Sequence, residues 1–560
     1  MPSDLSQLTP PELSEAERHA FFQNFLCRLA AYRNTAELYA SAEYKLSSLP
    51  EEGKSRSREL FNQEVNHWAQ ELLSNAWIAC QEPGGGDCPV LDPLTDTSTG
   101  NLPRLPSQQD VSKLLNIILF LHVTSSIQYS ARTRPFLSDI GAIDERTIVA
   151  TLKHPGEAIK EAERQTQKIR EDHADKSEAA RWAGVGLGAV AGGVLIGVTG
   201  GLAAPLIGAA VTGVLGFLGI GGTVVGLLAS GLAGSSVVCG ALFGAYGAKT
   251  TAAMVSRHTQ EIQDLAIVPV HSAMDEETLA VRLCVSGWLA SRKDVTAPWT
   301  VFGGDNTFAL QWEIEALEAL ANAFTTLIKN AGMKLLKVGI LKHTVLASVM
   351  GALSPVAWLQ IGKIIDNPWM NAKQLALKAG AVLGELLSNR VFGSRPVTLC
   401  GYSLGSLVIF EALKYLTTLP PSETANLIQD VFLFGTPAPI DESTWSAVRR
   451  VVCGRLVNGY AKEDYVLAVL SRVSSASWGV AGLEAVQVKG VENVKCEVDG
   501  HVMWRGQIGS CLRKCGAPGI LSEEVDAQLL DVAKPIDEEL AASKEVRPKI
   551  LEQDGLGEVE

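Results

Sequence analysis

Apolar residues recur at helical spacing through residues 10–80, in "AFFQNFLCRLAAYR" and "FNQEVNHWAQELLSNAWIAC", a pattern that predicts amphipathic helices. A stretch rich in Gly, Pro, Asp and Thr at 83–107 interrupts it as a flexible loop, after which "VSKLLNIILFLHVTSSI" resumes the helical period. Residues 1–150 therefore read as a helical unit with no visible chemistry. His67 and His122 lie among its apolar positions and are expected to pack there. Dense charge from 152 to 181 predicts a solvated helix or short coiled coil.

The pattern then changes abruptly, because no charged residue occurs between Arg181 and Lys249. A helix that crosses a bilayer needs about 20 apolar residues, so residues 182–248 have room for two or three. Glycines recur there at four-residue spacing, as at Gly184, Gly188 and Gly192, which lets helix backbones approach closely in lipid. Residues 151–260 are thus expected to hold the charged helix and a Gly-rich membrane hairpin. The competing expectation is a buried hairpin inside protein. An even number of spans would leave both large flanking units facing the cytosol from an intracellular membrane.

Beyond Ile267 strands alternate with helices, the signature of a mostly parallel α/β sheet over residues 261–535. The strand candidates are "TLAVRLCVSG", "TFALQWE", "PVTLCG", "DVFLFG", "RRVVCGRLV" and "ENVKCEV". A long apolar helical insert at 315–390 separates the second from the third and is a candidate lid, and His343 within it is expected to be structural. The charged, aperiodic tail at 536–560 predicts disorder.

Candidate chemistry centres on "VTLCGYSLGSLVIFEALKYL", an apolar strand, a glycine-bracketed serine and a helix. That context is what a nucleophile elbow requires: the serine sits in a strained turn, and small neighbours let the helix pass close. Serine needs a base, and the base an orienting acid. Only one histidine, His501, follows Ser403, and it lies just after the last strand candidate. Asp464, at the end of another strand, is the first choice of acid, with Glu463, Asp441 and Asp499 as competitors. The backbone N–H of Leu404, together with that of Trp288 or Leu289 in "VSGWLA", would face a developing oxyanion.

Composition narrows the partners. The net charge is −13, which argues against a nucleic-acid surface. The ten cysteines are scattered without Cys-x-x-Cys pairs, so they read as reduced and mostly buried, with no metal or organic cofactor implied.

In order along the chain come the glycine-rich apolar stretch, "VSGWL", "TFALQWE", "DNPWMNAKQLALKAGAVLGELL", "GYSLGSLVIFEAL", "FLFGTP", "RLVNGYAKEDYVLAVL" and "DGH". With these the chain resembles the family of transmembrane-and-coiled-coil-domain-containing protein four over roughly residues 150–515. The resemblance implies a membrane-associated, lipase-like α/β-hydrolase domain whose serine, acid and histidine fall on Ser403, Asp464 and His501. The expected function is a membrane-anchored serine esterase acting on a lipid or other hydrophobic ester. A non-catalytic hydrolase-fold docking module for trafficking proteins is the alternative. A pore built from the Gly-rich helices is disfavoured, since they carry no ionisable residue.

Overall fold

The computed structural model describes residues 5–92, 97–98, 100–156, 228, 231–232, 234–243, 264–271, 278–323, 355–474, 479–498 and 500–533. The expectations for residues 157–227, 324–354 (with His343) and 534–560 lie outside them.

The N-terminal pattern forms helices. Ser14 caps α1 (Glu15–Leu46) in a capping box with Glu17, and Pro50 starts α2 (Glu51–Ala79). Then come α3 (Gln108–Ser126), α4 (Thr133–Ile140) and α5 (Glu145–Lys153). Their apolar faces share one core that includes Phe21, Phe25, Trp68, Leu72, Ile117 and Phe136. His122 packs inside it, its Nε2 3.0 Å from Thr133 Oγ1, and burial pushes its imidazole down to about 4. His67 differs from expectation: it is exposed on α2.

The end of the charge-free run joins that same core. Helix α6 (Ser235–Phe243) buries Val238, Leu242 and Phe243, while Leu228 and Leu232 are buried just before it. This part of the run meets protein rather than lipid. Among the described residues no helix is long and apolar enough to cross a membrane. Within the expected hairpin, residues 235–243 thus pack against the protein core, and residues 182–227 and 244–248 lie outside the described chain.

A seven-stranded sheet follows, built from β1 (Leu265–Pro269), β2 (Val281–Val285), β3 (Asn306–Trp312), β4 (Val397–Tyr402), β5 (Ile428–Phe434), β6 (Leu456–Tyr460) and β7 (Val491–Lys495). The spatial order is β1-β3-β2-β4-β5-β6-β7. Only β1 runs antiparallel to its neighbour. Strands β2, β4 and β5 are buried along their whole length, as a sheet covered on both faces requires. The helices of this unit include α7 (Pro355–Ser388), α8 (Leu404–Thr417), α9 (Glu442–Val451), α10 (Tyr465–Ser474), α11 (Trp504–Lys514) and α12 (Ser522–Ala533). Gly380 and Gly384 of α7 meet α8 so closely that an added Cβ would lie 2.5 Å from Glu411 Cβ and 2.7 Å from the Tyr415 ring.

The helical unit docks on the N-terminal ends of the strands. Tyr129 N–H donates to Ser394 O (2.9 Å) just before β4, and Ala131 N–H to Asn426 O (3.0 Å) just before β5. Ser394 N–H also donates to Ala241 O of α6 (3.0 Å). Beside β3, Arg134 bridges Glu145 (2.8 Å) and Asp305 (2.7 Å), and Asp305 also pairs with Arg282 (3.0 Å). Burial alone would raise the Asp305 carboxyl, but Arg134 and Arg282 hold it below the usual carboxylate range. Because its folded value is depressed, this stabilisation is present above about pH 4 and is lost as pH falls further. Asp305→Ala removes the carboxylate partner of buried Arg282 and one of the two carboxylates on half-buried Arg134, and such a break costs about 3–5 kcal/mol. The first thermal transition of the full chain should drop accordingly, and a melt within a degree of wild type would refute the assignment.

Candidate active site

Strand β4 ends at Tyr402, and the next residue turns sharply: Ser403 has φ 54° and ψ −129°. A non-glycine residue at positive φ is strained by about 1–3 kcal/mol and must be held by its surroundings. Here Ser403 N–H donates to Phe434 O (2.8 Å), and Ser406 Oγ bonds both Phe434 N–H and Phe434 O at 3.0 Å. Glycines make room on either side. A Cβ on Gly405 would lie 2.1 Å from Val285 O, and one on Gly287 2.1 Å from Tyr402 O. The end of β2 thus presses backbone to backbone against the turn.

Three sequence-predicted residues come together at the C-terminal edge of the sheet. Ser403 Oγ lies 2.5 Å from His501 Nε2, and His501 Nδ1 lies 2.7 Å from Asp464 Oδ2. His501 opens a short 3-10 turn after β7, and Gly500 before it takes φ 105°. Asp464, between β6 and α10, accepts two further bonds: Trp504 Nε1–H on Oδ2 (2.9 Å) and Leu467 N–H on Oδ1 (3.0 Å). Among the described residues, His501, Trp504 and Leu467 thus hold this carboxylate from both of its oxygens. All three side chains are fully buried.

The rival acids are elsewhere. Asp441 caps α9 from the surface, accepting Thr444 N–H at 2.8 Å. Glu463 pairs with Lys495 in solvent (3.3 Å), and Asp499 lies outside the described residues. Leu404 begins α8, so its N–H points out of the helix N-terminus beside Ser403, where no intrahelical acceptor exists. Trp288 and Leu289 are buried in the loop that follows β2, next to the turn.

Sequence reasoning missed two participants. Trp504 fixes the far side of Asp464, and Gly435 (φ 58°) accommodates its indole: a Cβ there would sit 2.6 Å from Trp504 Nε1. Trp369 of α7 covers the other side, its ring edge-on to His501 at 6.1 Å and 79°. The sole cue was proximity for Trp504, three residues beyond His501; nothing local marks Trp369. Among the described residues no His/Cys/Asp/Glu cluster is arranged to hold a metal ion. The ten cysteines form no disulfide, and eight are buried.

Proteins similar to this chain occur in fungi and in a plant. The chain is 34% identical over 355 residues to an uncharacterized membrane protein of Schizosaccharomyces pombe, covering 61% of this chain and 60% of that one. It is 34% identical over 361 residues to the transmembrane and coiled-coil domain-containing protein STS1 of Oryza sativa subsp. japonica, covering 61% and 53%. Against the probable lipase MIL1 of Saccharomyces cerevisiae it is 34% identical over 324 residues, covering 56% of this chain and 28% of that one. The chain thus spans between about a quarter and three fifths of the length of these relatives. No solved structure matches. The family model described as a protein of unknown function (DUF726) matches residues 177–517, more than half of the chain and the whole stretch from the charge-free run to α11, and the chain belongs to that family.

Proposed function

We propose that the protein is a serine hydrolase of the lipase or esterase type with an α/β-hydrolase fold, cleaving a hydrophobic or lipid ester. The observation that carries this reading is the continuous buried chain from Ser403 Oγ through His501 to Asp464. In this mechanism His501 Nε2 takes the Ser403 proton as Oγ attacks the ester carbonyl, and Asp464 holds Nδ1–H and balances the imidazolium. The N–H groups of Leu404 and of Trp288 or Leu289 stabilise the oxyanion. His501 then protonates the leaving alkoxide, and a water, deprotonated by His501, releases the acid from the acyl-enzyme. The name of the yeast relative, a probable lipase, agrees with that chemistry. Residues 182–227, uncharged and apolar, would attach the chain to a bilayer, in keeping with relatives named as membrane proteins.

One observation favours the alternative, a non-catalytic membrane-tethered docking protein in trafficking. Ser403 is fully buried and the Trp369 ring lies edge-on to His501, so the cover over the serine has to open before a substrate reaches it. Fluorophosphonate labelling of the detergent-solubilised full chain separates the two readings. Wild type is expected to label and Ser403→Ala to remain blank. Folded protein that stays unlabelled, including with Trp369→Ala to thin the cover, would move the reading to the docking module.

A further inference from the structure

The loop bearing Trp288 and Leu289 is fastened from several sides. At its root Ser286 O accepts Trp312 Nε1–H (3.0 Å), and Ser286 Oγ accepts Trp299 Nε1–H (3.0 Å) while donating to Asp294 O (2.8 Å). Tyr402, the residue before Ser403, donates its hydroxyl to Trp288 O at 3.2 Å. The tip is held differently. Asp294 Oδ2 accepts the backbone N–H groups of Ala290 (2.8 Å) and Ser291 (2.9 Å). Its other oxygen, Oδ1, accepts from Arg505 at 2.5 Å. The same guanidinium lies 5.8 Å from the centre of the Trp288 ring.

Arg505 stands four residues after His501, in the first turn of α11. Asp294 is buried, whereas the Arg505 side chain is 35% exposed. One buried carboxylate therefore connects the loop after β2 to the segment that carries the histidine.

We infer that Asp294 and Arg505 form a positioning pair that sets the N–H groups of the Trp288–Leu289 loop against Ser403 and in register with His501. The inference rests on the reading of Ser403 as the nucleophile. Neither residue touches a reacting atom. Asp294 gathers the loop amides, and Arg505 gives its buried carboxylate a cationic partner that keeps the turn closed. Oxyanion donors act only from a fixed place, and a displacement of about 1 Å can cost about 10²-fold in rate.

The test uses the full chain with Arg505→Gln and Arg505→Lys. Exposure of Arg505 makes a stable Arg505→Gln variant the expected outcome, checked by its melt. Active sites are counted by fluorophosphonate titration, so the rate per site is independent of the fraction folded. For a short-chain soluble ester, Arg505→Gln should lower kcat per site by about 10- to 100-fold with KM nearly unchanged, and Arg505→Lys should recover most of it. Hydrogen exchange of the 286–292 amides should quicken in Arg505→Gln alone. A kcat per site within about threefold of wild type would overturn the inference. So would unchanged exchange of the loop, and this second readout decides the matter even if wild type shows no Ser403-dependent turnover. That absence of turnover would instead reject the hydrolase reading itself.

Discussion

Asp464→Asn is expected to reduce ester turnover by about 10³- to 10⁴-fold while leaving the chain folded. The size follows from what surrounds the carboxylate. Oδ2 receives His501 Nδ1–H and Trp504 Nε1–H, and Oδ1 receives Leu467 N–H. An asparagine must turn its NH₂ group toward one of these donors. Turned toward His501, it reverses the tautomer, so that Nε2 carries a proton and cannot accept one from Ser403. Turned toward Leu467, it opposes the first turn of α10 and removes the charge that balances an imidazolium. Both placements disable the base. A stability loss of about 1–3 kcal/mol should accompany the change, because a buried donor is left unpaired. Steady-state rates on a soluble ester, normalised to folded protein, check the result. Asp441→Asn and Glu463→Gln, both at the surface, serve as controls. A loss under about tenfold for Asp464→Asn would remove Asp464 from the orienting role.

Much of this arrangement could be read along the chain because it depends on local pattern. Apolar strands followed by turns and amphipathic helices produced β2 to β5 and α8. The glycines around Ser403 marked a turn tight enough to need them, and His501 had no downstream rival. Where the reading slipped, a neighbouring element had overridden the local signal. "RRVVCGRLV" looked like one strand, yet Arg449 and Arg450 belong to the last turn of α9, whose start Asp441 caps, and β6 begins only at Leu456. Strand β1 passed unnoticed because it is short, half-exposed, paired at one edge and ended by Pro269. The charge-free run suggested lipid to its end, but Leu242 and Phe243 found an apolar surface already present in the helical unit.

The acid was the hardest residue to place from sequence. Asp464, Glu463 and Asp441 all sit in polar segments at strand ends or helix starts, so local chemistry treats them alike. Only the fold brings one of them within 2.7 Å of His501. The cover over the site has the same origin. Trp369 lies 34 positions before Ser403 on a helix whose apolar stripe reads as ordinary core, and its contact with His501 arises from packing of α7 against α8 and α10. Arg505 and Asp294, more than 200 positions apart, are equally invisible to any local period.

Gly287→Ala should disrupt the site with a single added methyl. Its Cβ would stand 2.1 Å from Tyr402 O, 2.5 Å from Leu404 N and 2.7 Å from Gly405 N. All three are backbone atoms of the turn that holds Ser403, so no rotamer change relieves the overlap. Either the loop after β2 withdraws, carrying the Trp288 and Leu289 amides from the serine, or the turn gives up its strained conformation. The first route abolishes oxyanion support and the second misdirects Oγ, so serine-dependent labelling is lost by both. Overpacking of this severity, against fixed backbone, destabilises by about 3 kcal/mol or more, a drop of roughly 6 °C or more in the melt of a domain of this size. Gly53→Ala provides the contrast, because nothing lies within 4 Å of a Cβ at that exposed first turn of α2. There the same methyl should be neutral or stabilising by up to about 1 kcal/mol. Near-wild-type labelling and melting in Gly287→Ala would mean that the loop and the turn do not meet as described. The pairing of Leu404 with Trp288 or Leu289 around a shared oxyanion would fall with that contact, even if Ser403, His501 and Asp464 remained in line.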